Sequence, residues 1–417
     1  MLAAYAGIYR LDEGHSVGLQ PFINDAGKAV LLFADHRTGD VRSLFPRSAD
    51  DFAVVSGFDP GSPAERIAHF QLAASGRPEG VVFRSPDGAQ AEARRVVGGE
   101  EEIVFRQADA RLAGSLILPP GPGPHPAIVL LHGSGPLTRW SFGPYPRFFS
   151  SLGLAVLIFD KRGTGASTGR RLDASSGASK ALLPAFYPDD LAADAAAALR
   201  FLQSRPEIDP KRIGFWGSSE GGMLTTQVAA RTRDAAFAIN SSGFMGPLWR
   251  TLLYQGAAQM RAAGAPEAEI EQAVAFNRSW MEVARTGRGY DAFVTRRQEL
   301  LSSGRTGWLF YVSDEFSSLA QMRWAWRHIL TFDPLPQVER VRCPALGVFG
   351  QKDRLTNVAE APELMRKALA RGGNRDGSTR VFVDAGHSLM DTSGPSRLAP
   401  GLFDTLRGWI GERVMRT

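Results

Sequence analysis

Two patterns of apolar and polar positions divide the chain. From Met1 to about Val97, short apolar runs are separated by clusters of Gly, Asp, Asn and Pro; they are GIYRL (7–11), VGLQPF (17–22), AVLLFA (29–34), VRSLF (41–45), FAVVSG (52–57), ERIAHFQL (65–72) and GVVFRS (80–85). Strands at this spacing, with no helix-length periodic segment between them, predict an antiparallel meander, sandwich or small barrel. From Glu102 the pattern changes. Residues 102–121 predict two further strands, and then PAIVLL (126–131), LAVLIF (154–159), IGFW (213–216), AAFAIN (235–240), PALGVF (344–349) and TRVFV (379–383) alternate with segments of helical composition. Most of these runs are continuously apolar, which predicts strands buried on both faces, hence a largely parallel sheet flanked by helices.

A long stretch between AAFAIN and PALGVF has no strand-like run, and its segments 255–264 and 267–286 read as helices. The expected organisation is an N-terminal β-rich domain over 1–97, an α/β core over 98–243 and 337–417, and a helical insertion over 244–336. The β-rich domain could shield a site entrance, bind a partner or add stability.

Composition narrows the classes. The chain has 417 residues, 44% hydrophobic and 22% charged, as expected of a soluble protein of two or three units. The net charge of +5 is spread among interleaved acids rather than gathered in a basic run, so no nucleic-acid partner is expected. No apolar run reaches the length of a membrane span, and the N-terminus lacks a basic region followed by an apolar core. A cytoplasmic location is therefore expected, although a protein whose signal has been removed would read the same. The single cysteine, Cys343, excludes an internal disulfide and reads as a buried structural thiol. No metal-ligand or cofactor motif is present, and the glycines at 163 and 165 lack the ending of a phosphate loop.

The chemistry concentrates at 213–222. There an apolar strand runs into Gly217-Ser218-Ser219-Glu220-Gly221, a G-x-S-x-G pentapeptide, and then into a helical segment. Strand, tight turn and helix in that order form a nucleophile elbow, in which the flanking glycines leave room for a serine on a strained turn. A serine hydroxyl needs a general base, and the base needs a carboxylate behind it; both are expected downstream. Of the seven histidines only His328 and His387 follow Ser219. His328 lies in the helical insertion, where packing explains it; His387 follows a strand, in Ala385-Gly386-His387-Ser388. Asp353 ends the preceding core strand, whereas Asp384 is too near His387 in the chain to approach its ring from behind. The predicted catalytic set is Ser219, Asp353 and His387. An oxyanion hole is expected from the backbone N–H groups of Glu220 and Ser134, the latter in the loop His132-Gly133-Ser134-Gly135, with Gly135 as the alternative donor.

From about Glu102 onward the chain resembles the α/β-hydrolase superfamily, in particular its esterase and serine-aminopeptidase-like branch. The resemblance rests on HGSGP (132–136), the turn Asp160 to Ser167 of the form D-x-R-G-x-G-x-S, and G-x-S-x-G-G (217–222). It implies an α/β-hydrolase fold, the Ser-Asp-His machinery, and a cap made of the helical insertion. Ser218 departs from many relatives, which carry a larger residue there. Five of the eight tryptophans lie in the insertion, and Trp249, Trp280, Trp308 and Trp324 are candidates for a substrate pocket. The expected function is a serine hydrolase, foremost a carboxylesterase acting on a small-molecule ester. A peptidase or amidase, a thioesterase or lactonase, or a non-catalytic binding protein on the same scaffold are the alternatives.

Overall fold

The structure, a computed structural model, describes residues 2–23, 27–169, 188–310, 313–314, 316–394 and 396–416. Eight consecutive strands form a closed antiparallel barrel: β1 (Gly7–Asp12), β2 (His15–Ile23), β3 (Ala29–Asp35), β4 (Val41–Pro46), β5 (Asp51–Val55), β6 (Arg66–Leu72), β7 (Pro78–Arg84) and β8 (Gln90–Val96). Closure is made by β1 on β8, with Ile8 opposite Val96 and Arg10 opposite Arg94. Alternate side chains, among them Tyr9, Leu19, Phe33, Leu44, Phe52, Phe70 and Phe83, fill the interior. The barrel is packed rather than hollow. The sequence pattern had no apolar run for β8 because only Ala93 on that strand is buried.

The second unit is an eight-stranded sheet in the order β16-β15-β14-β13-β11-β12-β10-β9. It comprises β9 (Gly99–Gln107), β10 (Ala110–Leu118), β11 (His125–Leu131), β12 (Ala155–Phe159), β13 (Ile208–Ser218), β14 (Ala238–Ser241), β15 (Ala345–Gly350) and β16 (Gly377–Phe382). The strands from β12 to β16 run parallel, and β9 and β10 complete one edge antiparallel. Helices α1 (Tyr145–Ser151), α2 (Pro188–Gln203), α3 (Glu220–Arg231), α4 (Leu248–Ala262), α5 (Glu267–Thr286), α6 (Tyr290–Ser302), α7 (Leu319–Ala325), α8 (Leu335–Val338), α9 (Ala361–Arg371) and α10 (Leu402–Ile410) follow in chain order.

The continuous apolar runs have a direct explanation. On β11, Ala127, Val129 and Leu131 enter the core shared with α2, α3 and α9, while Ile128 and Leu130 enter the core shared with α1 and α10. Both faces of the strand are dry, so both sets of positions must be apolar. Helices α4 to α7 pack around a separate cluster with Trp280 and Phe316 at its centre.

The barrel rests on the sheet unit through its outer face, where Leu32 and Val41 join the core that holds Phe148 and Phe403. His36 is wedged edge-on against those two rings. The acidic run at 100–102 reads as a solvated stretch in the sequence, yet Glu100 pairs with the buried Arg147 at 2.6 Å and Glu102 pairs with the buried Arg139. The strand pairing of β9 brings those acids within reach of arginines distant in the chain.

Candidate active site

β13 ends at Ser218 and α3 begins at Glu220, leaving Ser219 alone at the turn with φ 59° and ψ −120°. An L-residue pays for positive φ, and the strain is held here by the packing around it. A Cβ at Gly217 would collide with the carbonyl of Gly221, and one at Gly221 with the carbonyl of Leu131. Glycine is obligatory at both positions. The backbone N–H of Ser219 donates to Ser241 O at 2.8 Å, which ties the turn to the next strand.

Asp353 and His387 meet at the ends of β15 and β16. Asp353 is 2% exposed, and its Oδ1 accepts from the N–H groups of Leu355 (2.7 Å) and Thr356 (2.9 Å). Those two bonds fix the carboxylate plane and leave Oδ2 for His387 Nδ1, at 2.8 Å. A carboxylate only accepts, so Nδ1 carries the proton and Nε2 of the neutral ring presents a lone pair. Nε2 is buried and makes no hydrogen bond, so the structure brings Asp353 and His387 together without closing a bond from His387 to Ser219. Asp384 pairs with Lys352 at 2.6 Å instead. His328 is exposed, its ring 5.2 Å from that of Trp324.

The loop at 132–135 lies against the elbow, since a Cβ on Gly133 would sit 3.5 Å from Ser219 Cβ. Among the described residues, no hydrogen bond engages the N–H of Ser134 or of Glu220. Lys161 joins the two segments: its Nζ donates to Gly133 O at 3.0 Å and to Glu220 Oε2 at 2.6 Å, and both side chains are buried. In a trans peptide the C=O and the following N–H point in opposite directions. Holding Gly133 O toward Lys161 therefore turns the Ser134 N–H away from it. Sequence reasoning missed Lys161; its signal was a lysine in the D-x-R-G turn and a glutamate directly after the elbow serine, opposite charges at two buried motif positions.

His132 is a brace. Its Nε2 donates to Phe159 O at 2.6 Å, and its ring stacks on Phe142 with 4.1 Å between centroids. The turn that follows β12 is braced by ion pairs: Asp160 pairs with Arg139 at 3.1 Å, and Arg162 pairs with Asp194 of α2 at 2.5 Å.

Burial lowers the pKa of His132 to about 3 and that of His36 to about 3. Both are neutral in the fold and take up a proton in the unfolded chain below about pH 6.5. Stability is therefore full above pH 6.5 and is lost as pH falls toward 3, by up to about 1.4 kcal/mol per pH unit for each ring. Denaturant midpoints at pH 7 and pH 5 should show the loss, and His36→Leu should flatten the slope by roughly one ring's share. Equal slopes would contradict the assignment.

The helical insertion contributes to the loop of Asp353. Tyr254 on α4 donates its hydroxyl to Asp353 O at 2.5 Å, and Gln255 Nε2 donates to Leu355 O at 2.9 Å. Trp280 and Trp308 are packed in the cap's own cluster, with their indole N–H groups bonded to Phe316 O (3.0 Å) and Glu269 Oε1 (2.7 Å). This removes them from the pocket-lining candidates, because the cap needs their bulk for its core. Trp249 and Trp324 are half-buried on the edge of that cluster. Cys343 is half-buried, and burial raises its thiol to about 12. Among the described residues, no group of three or more His, Cys, Asp or Glu is placed to hold a metal ion, and no helix is long and apolar enough to cross a membrane.

The model of the Alpha/beta hydrolase family matches residues 128–400. The chain belongs to that family. Similar curated proteins include esterase EstD of Thermotoga maritima, 29% identical over 207 residues, covering 44% of this chain and 46% of that protein. An uncharacterized protein of Mycobacterium tuberculosis (strain ATCC 25618 / H37Rv) is 29% identical over 143 residues, covering 34% of this chain and 45% of that protein. The chain thus spans about half the length of the curated relatives it matches. Among solved structures, the Pyrococcus furiosus esterase Pf2001 is similar at 20% identity and TM-score 0.46, covering 77% of this chain and 91% of that chain. Family membership and the esterase among its relatives support a hydrolase at the level of reaction class.

Proposed function

We propose that this α/β hydrolase is a serine carboxylesterase for small or medium apolar esters. The observation that carries the reading is the pairing of the buried Asp353 with His387, whose buried Nε2 is left without a partner, in a fold that also holds Ser219 on a strained turn. His387 Nε2 takes the Ser219 proton as Oγ attacks the ester carbonyl. The N–H groups of Glu220 and Ser134 receive the negative charge that develops on the carbonyl oxygen. The proton on His387 then passes to the leaving alkoxide, and the acyl group remains on Ser219. Water, deprotonated in turn by His387, releases the acid and restores the serine. Asp353 holds the ring in the required tautomer and stabilises the imidazolium.

The cap supports an apolar acyl pocket, with Trp249 and Trp324 as its candidate aromatic walls. The test is turnover of p-nitrophenyl esters of graded acyl length beside aminoacyl p-nitroanilides, with mass-spectrometric mapping of a fluorophosphonate label. Ester turnover and a label on Ser219 are the expected results. Anilide turnover alone would replace the esterase reading with a peptidase, and no label on Ser219 would remove the serine mechanism.

A further inference from the structure

The segment that carries His387 is built into a ladder of backbone hydrogen bonds that ends on the barrel. On its inner side, Lys352 N donates to Ala385 O at 2.8 Å, which joins the Asp353 loop to the His387 loop. On its outer side, Gly386 N donates to Met390 O at 3.0 Å and Thr392 N donates to Asp384 O at 2.8 Å. The next rung is Asp391 N to Arg397 O at 2.9 Å, with Ala399 N to Leu389 O at 2.8 Å, and the Asp391 carboxylate adds an ion pair to Arg397 at 2.7 Å. The last rung crosses to the turn between β3 and β4, where Leu398 N donates to Gly39 O at 2.8 Å and Val41 N donates to Ser396 O at 2.9 Å. Arg42, 7% exposed, locks this rung: its Nη1 donates to Ser396 O at 2.6 Å, and its Nε is held by Glu65 Oε2 at 2.6 Å.

We propose that the N-terminal barrel is a positioning domain for the general base, and that Arg42 is the positioning residue that couples the two. The inference rests on the reading of His387 as base. Its physical basis is the conformation of the His387 loop. Asp384 and Leu389 on either side of it have φ of 60° and 58°, which is costly for side-chain-bearing residues and persists only where neighbouring structure over-determines it. Asp384 and Leu389 are themselves bonded through their carbonyls to Thr392 and Ala399, so their conformation depends on the segments 390–394 and 396–399. The pairing there is limited to two isolated bridges, Ala385 with Asp391 and Met390 with Leu398, and ribbon pairing this short has little stability alone. The bridge of Asp40 to Arg397 fastens it to the end of the closed eight-stranded barrel, at the turn between β3 and β4. A base displaced by about 1 Å loses on the order of 10²-fold in rate, so a rigid anchor has a kinetic consequence.

Arg42→Ala should lower kcat on the best p-nitrophenyl ester by about 10- to 100-fold, per site titrated with fluorophosphonate, with KM changed by less than about twofold. The acid limb of kcat/KM against pH should shift in the same variant. Val81→Ala, a fully buried position inside the barrel and remote from the ladder, serves as control: it should lower the Tm and leave kcat per titrated site unchanged. Hydrogen exchange of the wild type needs no variant. Peptides covering 384–391, 396–399 and 39–42 should open at one common rate.

Equal kcat in Arg42→Ala and wild type, or equal losses in Arg42→Ala and Val81→Ala, would overturn the proposal. So would separate opening rates for the barrel turn and the His387 loop. Failure to label Ser219 in the wild type would instead remove the underlying serine reading.

Discussion

Ser219→Ala should lower kcat/KM for p-nitrophenyl esters by about 10⁴-fold or more, with little change in fold or Tm. On the proposed mechanism, removing the hydroxyl removes the atom that forms the acyl-enzyme, so the remaining rate would come from water attacking an ester held by the other groups. Alanine keeps the Cβ of serine, so the steric demands of the turn at φ 59° are unchanged. No hydrogen bond of the Ser219 side chain caps α3, so no helix cap is lost with it. Circular dichroism and a thermal melt would establish that the variant is folded, and the fluorophosphonate should no longer react. A variant that kept more than about a tenth of the wild-type rate would place the nucleophile elsewhere.

The elements of the sheet unit were legible because each obeys a local rule. β11 from Pro126 onward and β12 throughout are apolar, since both of their faces are covered. The elbow carries its signature in consecutive residues, because the close approach of Gly217 to Gly221 is a local matter. Asp353 and His387 could be named because each follows a strand of the sheet and chain order restricts the choice. The barrel's strands were readable wherever their inner face is apolar over several residues, and β8 escaped because it presents one buried side chain.

What the sequence did not show is how distant segments hold one another. Arg42 and Ser396 are 354 positions apart, and Ser396 is bonded through its carbonyl, an atom every residue has. No residue type marks it. Tyr254 likewise read as one more cap aromatic, although its hydroxyl is spent on the backbone of Asp353. Nothing in the sequence pairs Lys161 with Glu220, 59 positions away; only the fold brings the two together in a dry place.

That burial makes Lys161→Met the second large effect. Glu220 would be left buried and unpaired, which costs about 3–5 kcal/mol in comparable settings. The variant should also lose kcat by about 10²- to 10³-fold, the range for removing one oxyanion donor, because nothing would hold Gly133 O and with it the direction of the Ser134 N–H. The two losses can be separated. In Lys161→Met combined with Glu220→Gln, no charge is left unpaired, so most of the stability should return in denaturant unfolding. The Glu220 backbone N–H is unaltered in that double variant, but Gly133 O still has no anchor, so kcat should stay low while KM remains near the wild-type value. Affinity for an alkyl boronic acid, whose adduct with Ser219 carries a tetrahedral negative charge, should fall in parallel with kcat. If the double variant recovers activity together with stability, Lys161 neutralises a buried glutamate and the Ser134 N–H is aligned by other contacts of the loop. If stability alone returns, the ion pair sets the geometry in which the charge on the transition state is received.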